Sequence, residues 1–470
     1  MSGFVGRSRE LRSLQNELER VLAASDGVIG RCILVRGRRR VGKSRLLEEF
    51  CARAGIPSVF FTASKQGVAE LDLFADEVRQ SDLPGCDLFE AARPTSWDGA
   101  LQVLGSLLDQ GPAIVVIDEF PYLVGDDPSI EATFQKVWDR VLSRKRVLLV
   151  LVGSDLAMME ALDTHGRAFF QRGTELVVPP LSPVETAAVV GITDAADAFD
   201  AHLLTGGLPL ICQDWPTGAS MAEFIRIALA EPTSPLIVSA ERVLAAELPA
   251  DVQARGVLGQ IGAGEVTFAR ISRSMGGMQP TSLSRALDVL VTKRVVAKDR
   301  PLSTRPSRDT RYRVADPYLR FWLRFIGPHL PEIERGRSDR VVARIERDWT
   351  TWRGRAIEPV IREALSRLSP IPGLPDADVV GSYWTRTNVP DVDVIGADRR
   401  PIARAITYAG AIKWLERAPL REDTVRRLIA DLASVPGASP STPLVAVSRS
   451  GVDATGVVAL GPSDLLAAWL

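Results

Sequence analysis

The stretch Cys32–Phe50, CILVRGRRRVGKSRLLEEF, constrains the fold more than any other part of the chain. A short apolar run ends in Gly37-x-x-x-x-Gly42-Lys43-Ser44, the Walker A pattern, and a helix-forming sequence follows. Strand, glycine loop and helix in that order build a phosphate cradle: main-chain N–H groups turn toward phosphate oxygens and the helix adds its positive N-terminus. The variable positions bind through backbone, so the arginines at 38–40 are free to send their side chains elsewhere. The contacts expected therefore run through Gly37, Arg40, Val41, Gly42, Lys43, Ser44 and Arg45. Lys43 supplies charge to the β- and γ-phosphates and Ser44 a hydroxyl to Mg²⁺. A plain basic patch for nucleic acid would need no glycines here.

A cradle of this kind needs a sheet to stand on. SVFFTA (58–63), AIVVID (113–118), RVLLVLVG (146–153) and TELVVP (174–179) supply further strands, alternating with helical patterns. That alternation predicts an α/β domain with a parallel sheet and crossover helices. Near-continuous apolar runs are what strands covered on both faces carry. The third strand ends in Asp118-Glu119, the Walker B arrangement, with Asp118 on the Mg²⁺ shell and Glu119 polarising the attacking water. Two acids at a strand end also simply open a turn; the upstream cradle favours the catalytic reading. Ser154, at the tip of the next strand, is placed for the γ-phosphate or the water, or as a helix N-cap before Asp155.

At 470 residues the chain exceeds a single core. The expected parts are a P-loop core at 1–182, a helical lid at 183–248, a winged helix-turn-helix at 249–318 and a tail at 319–470. TGGLP (205–209) and EPTSP (231–235) break the lid into short helices. Net charge is −1, so no global field draws the molecule to DNA or membrane. The four cysteines, Cys32, Cys51, Cys86 and Cys212, show neither disulfide-framework nor metal spacing, which fits a reducing cytoplasm. No apolar run approaches the ~20 residues a membrane span needs. The expectation is a soluble cytoplasmic protein.

FVGRSREL (4–11), GRRRVGKSRLLEEF, IDEFPYL, GSDLAMME, HGRAFFQRGTELVVPPLSP and TGGLPL together resemble the archaeal-type AAA+/STAND-related P-loop ATPases. YRVADPYLRFWLRFI (312–326) is similar to the C-terminal domain of unknown function that such ATPases often carry. The resemblance covers nearly the whole chain. It implies an ASCE-type sheet with a helical lid, and ATP, ADP and Mg²⁺ as ligands. Phe4, Val5, Gly6 and Arg7 would lie along adenine and ribose. Arg167 of the HGR box would be a phosphate-sensing or finger arginine, or else a plain surface arginine. Gly207 and Pro209 would report nucleotide state from the lid, or else form a helix-breaking turn.

Residues 270–313 hold eleven Lys/Arg against three Asp, the local footprint that duplex DNA binding requires. The third helix of the winged helix, capped by Thr281 or Ser282, would then enter a major groove; the competing reading makes the winged helix an intramolecular relay. The tail resembles the PD-(D/E)xK nuclease fold through Glu358, Asp391, Asp393 and Lys413. Where that pattern wants an acid two residues before the lysine, Ala411 stands. An inactive, binding or packing domain follows. The expected function is an Mg-dependent nucleotide switch that hydrolyses ATP slowly, with an unidentified protein partner and homo-oligomer formation compatible with it. The alternatives are a DNA-binding regulator using ATP as an allosteric ligand, and a residual metal-dependent nuclease.

Overall fold

The computed structural model describes the chain apart from residues 1–3, 25–28, 65–68, 163, 165, 166, 168, 170, 249–251 and 263. His165 and Gly166 of the HGR box therefore lie outside the described residues. The chain divides into two compact units, Met1–Pro180 and Leu181–Leu470. The other boundaries expected from sequence, 248/249 and 318/319, fall inside the second unit.

The first unit is built on five parallel strands: β1 (Arg31–Arg36), β2 (Ser58–Thr62), β3 (Ala113–Asp118), β4 (Val147–Gly153) and β5 (Gly173–Val177). Their spatial order is β2-β3-β4-β1-β5. β3 and β4 are buried at every residue, as their unbroken apolar runs require between two helical layers. β5 departs from that expectation. It is an edge strand, its residues are half-buried or exposed, and the apolar TELVVP is realised inward only at Val178, beyond the strand. Register aligns the carboxyl ends: Arg36 lies opposite Gly153, and Ile117 opposite Leu151. Residues following β1, β3 and β4 thus emerge on one edge, where open α/β sheets bind ligands. A row of aromatic contacts, Phe61–Phe74, Phe74–Trp97, Trp97–Phe134 and Phe134–Phe120, at centroid separations of 5.5, 5.3, 5.8 and 5.2 Å, packs one sheet face. Phe120, fully buried, anchors the chain immediately after the acidic tip of β3.

The second unit begins with five helices, Pro183–Val190, Ala195–Thr205, Pro209–Gln213, Met221–Ala230 and Pro235–Glu247. Capping boxes at Ser182/Glu185 and Ser220/Glu223 start two of them. Three helices follow (Val252–Ile261, Phe268–Ser274, Pro280–Thr292), with β6 (Glu265–Thr267), β7 (Val296–Asp299) and β8 (Arg311–Val314) forming an antiparallel sheet of order β6-β8-β7. The cap expected at Thr281 or Ser282 is instead Gln279: Pro280, with no N–H to lose, fixes the first helical position. The stretch 352–368 is shared by two helices, Ser338–Ala356 and Glu358–Arg367. Pro359 cannot donate back into the preceding turn, so the helix breaks at Ile357.

The tail holds β9 (Val379–Trp384), β10 (Asp391–Ala397), β11 (Ile406–Lys413), β12 (Leu420–Arg421), β13 (Leu444–Ser448), β14 (Val452–Asp453) and β15 (Val458–Leu460). Its main sheet runs β15-β13-β11-β10-β9, antiparallel across β9–β10–β11 and parallel across β11–β13–β15. The connection between β7 and β8 docks on this sheet. Leu302, 2% exposed, joins the tail's core. The Leu302 amide donates to the Ser382 carbonyl (2.9 Å), the Ala403 amide to the Ser303 carbonyl (3.0 Å), and the Thr304 amide to the Pro436 carbonyl (3.1 Å).

Candidate functional site

The loop after β1 owes its path to two glycines and a crowded neighbour. A Cβ on Gly37 would sit 2.4 Å from the Val178 carbonyl oxygen, so only glycine lets the loop leave the sheet beside the exit of β5. Gly42 turns at φ 89°, and Arg40 adopts φ 67°, a left-handed conformation costly for a side-chain-bearing residue. The helix Lys43–Ala54 then starts at the loop's end. Lys43 is buried, and its Nζ donates to the carbonyls of Gly37 (3.0 Å) and Arg38 (3.2 Å), spanning the mouth of the loop. The arginines behave as backbone binding requires: Arg39 Nη2 reaches the Tyr122 hydroxyl (2.7 Å), and Arg45, 64% exposed, pairs outward with Glu48 (3.1 Å).

Ser44 and Asp118, 74 residues apart, meet: Ser44 Oγ donates to Asp118 Oδ2 at 2.5 Å. Asp118 Oδ1 accepts the Glu119 amide (2.9 Å), which fixes the carboxylate plane. Glu119 has φ 53°, so the chain turns sharply after the buried strand and swings its side chain toward β4. There Ser154 Oγ donates to its carboxylate, 2.9 Å from Oε1 and 2.8 Å from Oε2. Asp155, not Ser154, caps the following helix, its Oδ1 accepting the Met158 amide (3.0 Å). That leaves the Ser154 hydroxyl to Glu119.

A hydroxyl and a carboxylate in contact are hard oxygen donors. They fit Mg²⁺, which takes one or two protein oxygens and completes its shell with phosphate and water. No group of three or more His, Cys, Asp or Glu able to hold a metal occurs among the described residues.

The remaining predicted residues of the first unit sit around this loop or away from it. Arg7, 3% exposed with φ 62°, donates from Nη2 to the Val41 carbonyl (2.8 Å), bracing the loop from behind. Gly6 has φ 80°, Val5 is exposed, and the Phe4 ring lies under the Arg53 guanidinium at 5.8 Å. Arg167 is held in a two-pronged pair with Glu131, Nε–Oε1 3.0 Å and Nη2–Oε2 2.6 Å. Sequence reasoning missed Glu131, Tyr122 and the Val41 carbonyl as partners, because nothing in local spacing marks them.

Gly207 and Pro209 belong to the second unit. Gly207, at φ 65°, packs so closely that a Cβ would lie 2.1 Å from the Leu181 carbonyl oxygen, and its own carbonyl accepts the Leu181 amide (2.8 Å). Pro209 starts the helix Pro209–Gln213.

In the tail, cations occupy two of the predicted acids, Asp391 and Glu358. Arg311 donates to Asp391 (3.2 and 3.3 Å) and to Asn388 Oδ1 (2.8 Å), and stacks over Trp384 at 4.4 Å. Glu358 lies 3.8 Å from Arg355 and 3.5 Å from Arg362. Asp393 Oδ2 accepts the Ile412 amide (2.9 Å), and burial raises its carboxyl above the usual range against the pull of that amide and Arg362. Lys413 ends β11 opposite Ser448.

Residues 322–427 match DUF234, described as "Archaea bacterial proteins of unknown function". An uncharacterized protein of Methanocaldococcus jannaschii is 22% identical over 434 residues, 91% of each chain. Among solved structures, a Walker-type ATPase of Pyrococcus abyssi is 18% identical, covering 68% of this chain and 96% of its own, at TM-score 0.46. The Aeropyrum pernix ORC2 protein, in ADPNP–ADP complexes, is 16% identical over 73% of this chain and 96% of its own, at TM-score 0.47. No described helix is long and apolar enough to cross a membrane.

Proposed function

We propose that the first unit binds Mg-ATP and hydrolyses it slowly, and that the second unit carries the resulting state to an output surface. The observation that carries this reading is the meeting of Ser44 and Asp118 at 2.5 Å beside a loop closed by Lys43. On binding, the main-chain amides of residues 37–45 wrap the phosphates. Lys43 exchanges the Gly37 and Arg38 carbonyls for β- and γ-phosphate oxygens. Ser44 and Asp118 would hold Mg²⁺, which neutralises charge on the phosphates when bound. Glu119 orients the attacking water after Ser154 releases its carboxylate, and that restraint supports slow turnover. Arg167 serves as a phosphate-sensing arginine only after leaving Glu131. The FVGR residues support the loop through Arg7 and flank the nucleoside.

In the second unit, residues 252–314 act as a winged helix in the relay sense. The segment that would be its wing is consumed by the tail, with Leu302 in the core and Arg311 on Asp391. DNA contact, the alternative, would draw on exposed arginines such as Arg270, Arg273 and Arg285. The tail reads as a nuclease-like domain without nuclease chemistry. Glu358 and Asp391 are paired with Arg311, Arg355 and Arg362, Asp393 accepts the Ile412 amide, and Ala411 stands in place of the missing carboxylate.

Calorimetry of Mg-ATP binding tests the reading, with Lys43→Ala expected to abolish the heat and Glu119→Gln to bind nucleotide without turnover. Equal binding by Lys43→Ala protein would refute it. Turnover and binding measured with and without duplex DNA test the regulator alternative. It gains if Glu119→Gln leaves a DNA-dependent function intact.

A further inference from the structure

A cleft of about 460 Å³ opens within the second unit, between the β7–β8 hairpin and the tail. That volume lies within the range of small-molecule pockets, roughly 300–1,000 Å³. None of its lining residues belongs to the predicted nuclease acids or to the phosphate loop.

Its charge is unlike that of the chain as a whole. Lys298, Arg300, Arg313, Arg362 and Arg400 line it against Asp299, Glu363 and Asp378, five cations to three acids, or +2, in a chain of net charge −1. Two of those acids already have partners: Asp299 holds Arg313 at 2.7 Å, and Glu363 holds Arg367, outside the lining, at 2.7 Å. Among the described residues, Lys298, Arg300 and Arg400 have no carboxylate within ion-pair distance.

Arg400 is the focus. The residue keeps exposed surface, but its Nη2 is tucked against the Val380 carbonyl, to which it donates. Burial lowers its guanidinium from the ordinary range; Asp299 opposes that shift, while Arg362 and Arg313 deepen it. Arg313 and Arg362 have their own carboxylates, Asp299 and Glu358, but Arg400 has none at ion-pair distance, and an anion beside it relieves the excess charge. Leu302 and Val380 supply an apolar wall. Gly381 keeps that wall flat: a Cβ there would come within 3.1 Å of both Arg400 Nη2 and a Leu302 methyl.

We propose that this cleft binds a small organic phosphate, its ionised oxygens among Arg400, Arg300 and Lys298 and its organic body against Leu302 and Val380. A bound ligand would bridge the β7–β8 segment and the C-terminal sheet, tightening the junction that the docked connection already makes. The cleft's volume suits a molecule of that size rather than a nucleic-acid duplex. The proposal does not rest on the ATP reading.

The test uses the full chain carrying Lys43→Ala, so that the phosphate loop does not contribute, titrated with inorganic pyrophosphate by calorimetry. Saturable binding of one equivalent is expected. Arg400→Gln should weaken it roughly tenfold, the equivalent of about 1.4 kcal/mol. Asp378→Asn, which removes the rim acid, should tighten it a few-fold and decides the matter if Arg400→Gln does not fold. Absence of saturable heat, or an affinity moved by neither variant, overturns the proposal. So does a short DNA duplex that displaces pyrophosphate at lower concentration than pyrophosphate itself needs.

Discussion

Ser154→Ala separates two roles for the hydroxyl at the tip of β4. In the structure that hydroxyl reaches both Glu119 oxygens, at 2.9 and 2.8 Å, but a single O–H donates to one at a time. The restraint therefore counts as one hydrogen bond to a charged acceptor, about 1.5–3 kcal/mol. Glu119 is only half-buried, so water competes for the released carboxylate and the lower end applies. About 1.5 kcal/mol corresponds to roughly a tenfold change in the fraction of Glu119 free to orient water. If freeing Glu119 limits turnover, Ser154→Ala should raise kcat by up to about tenfold and leave KM little changed. Steady-state phosphate release at saturating Mg-ATP reads this directly, with Glu119→Gln as the inactive reference. A kcat that instead falls toward that of Glu119→Gln would refute the reasoning. Ser154 would then be supporting the γ-phosphate or the water, the role its sequence position first suggests.

Other substitutions test the backbone and the charges. Gly37→Ala forces a Cβ against the Val178 carbonyl, a backbone atom that cannot rotate away. It should cost about 1–3 kcal/mol in thermal unfolding and abolish Mg-ATP binding. Gly207→Ala adds left-handed strain to a 2.1 Å clash with Leu181 and should cost roughly 2–4 kcal/mol. Gly191→Ala, at φ 78° with nothing within 4 Å, should cost only about 1 kcal/mol in the same unfolding assay. On the helix Ala195–Thr205, burial raises the Asp200 carboxyl from 3.8 to about 6 against Arg353 and Arg449, and lowers the His202 imidazole from 6.5 to about 4. The raised carboxyl makes stability fall as pH rises from about 4 to 6, while the lowered imidazole makes it rise from about 4 to 6.5. Each effect is of order 3 kcal/mol, so they oppose one another and the native protein should show a nearly flat profile there. Denaturant unfolding between pH 4 and 6.5 should then rise with pH in Asp200→Asn and fall in His202→Gln; equal slopes in the two variants would contradict the assignment.

The parallel sheet and the glycine loop were legible because each rests on a short-range rule. Apolar runs name the buried strands, and Gly37, Gly42, Lys43 and Ser44 lie within eight residues of one another. Asp118 was legible as an acid at a strand end, although its contact with Ser44 spans 74 residues and depends on strand order. What sequence could not carry was the partner of each free-looking group. Arg167 looks like a sensing residue until Glu131 appears beside it, and Ser154 like a cap until Asp155 is seen to perform that role. β5 misled for a related reason: its composition suits a covered strand, but position at the sheet edge, a property of topology, decides exposure.

The basic stretch 270–313 shows why charge counting could not decide between DNA contact and relay. Its cations follow no common fate once the chain is folded. Arg311 is buried against Asp391 and stacked on Trp384, and Arg313 is tied to Asp299, so both stabilise the junction with the tail. Lys298 and Arg300 instead face the cleft. The other seven, Arg270, Arg273, Arg285, Lys293, Arg294, Arg305 and Arg308, lie outside that junction and cleft; all are exposed except half-buried Lys293, which sits 3.9 Å from Glu247. A winged helix that reads DNA commits its wing or its third helix to the duplex. Here the segment that would be the wing lies under the tail, so a net positive count measures packing as much as recognition. Salt dependence distinguishes the two uses: phosphate contacts to a duplex weaken steeply between low and physiological salt, whereas the partly buried Arg311–Asp391 pair is screened less.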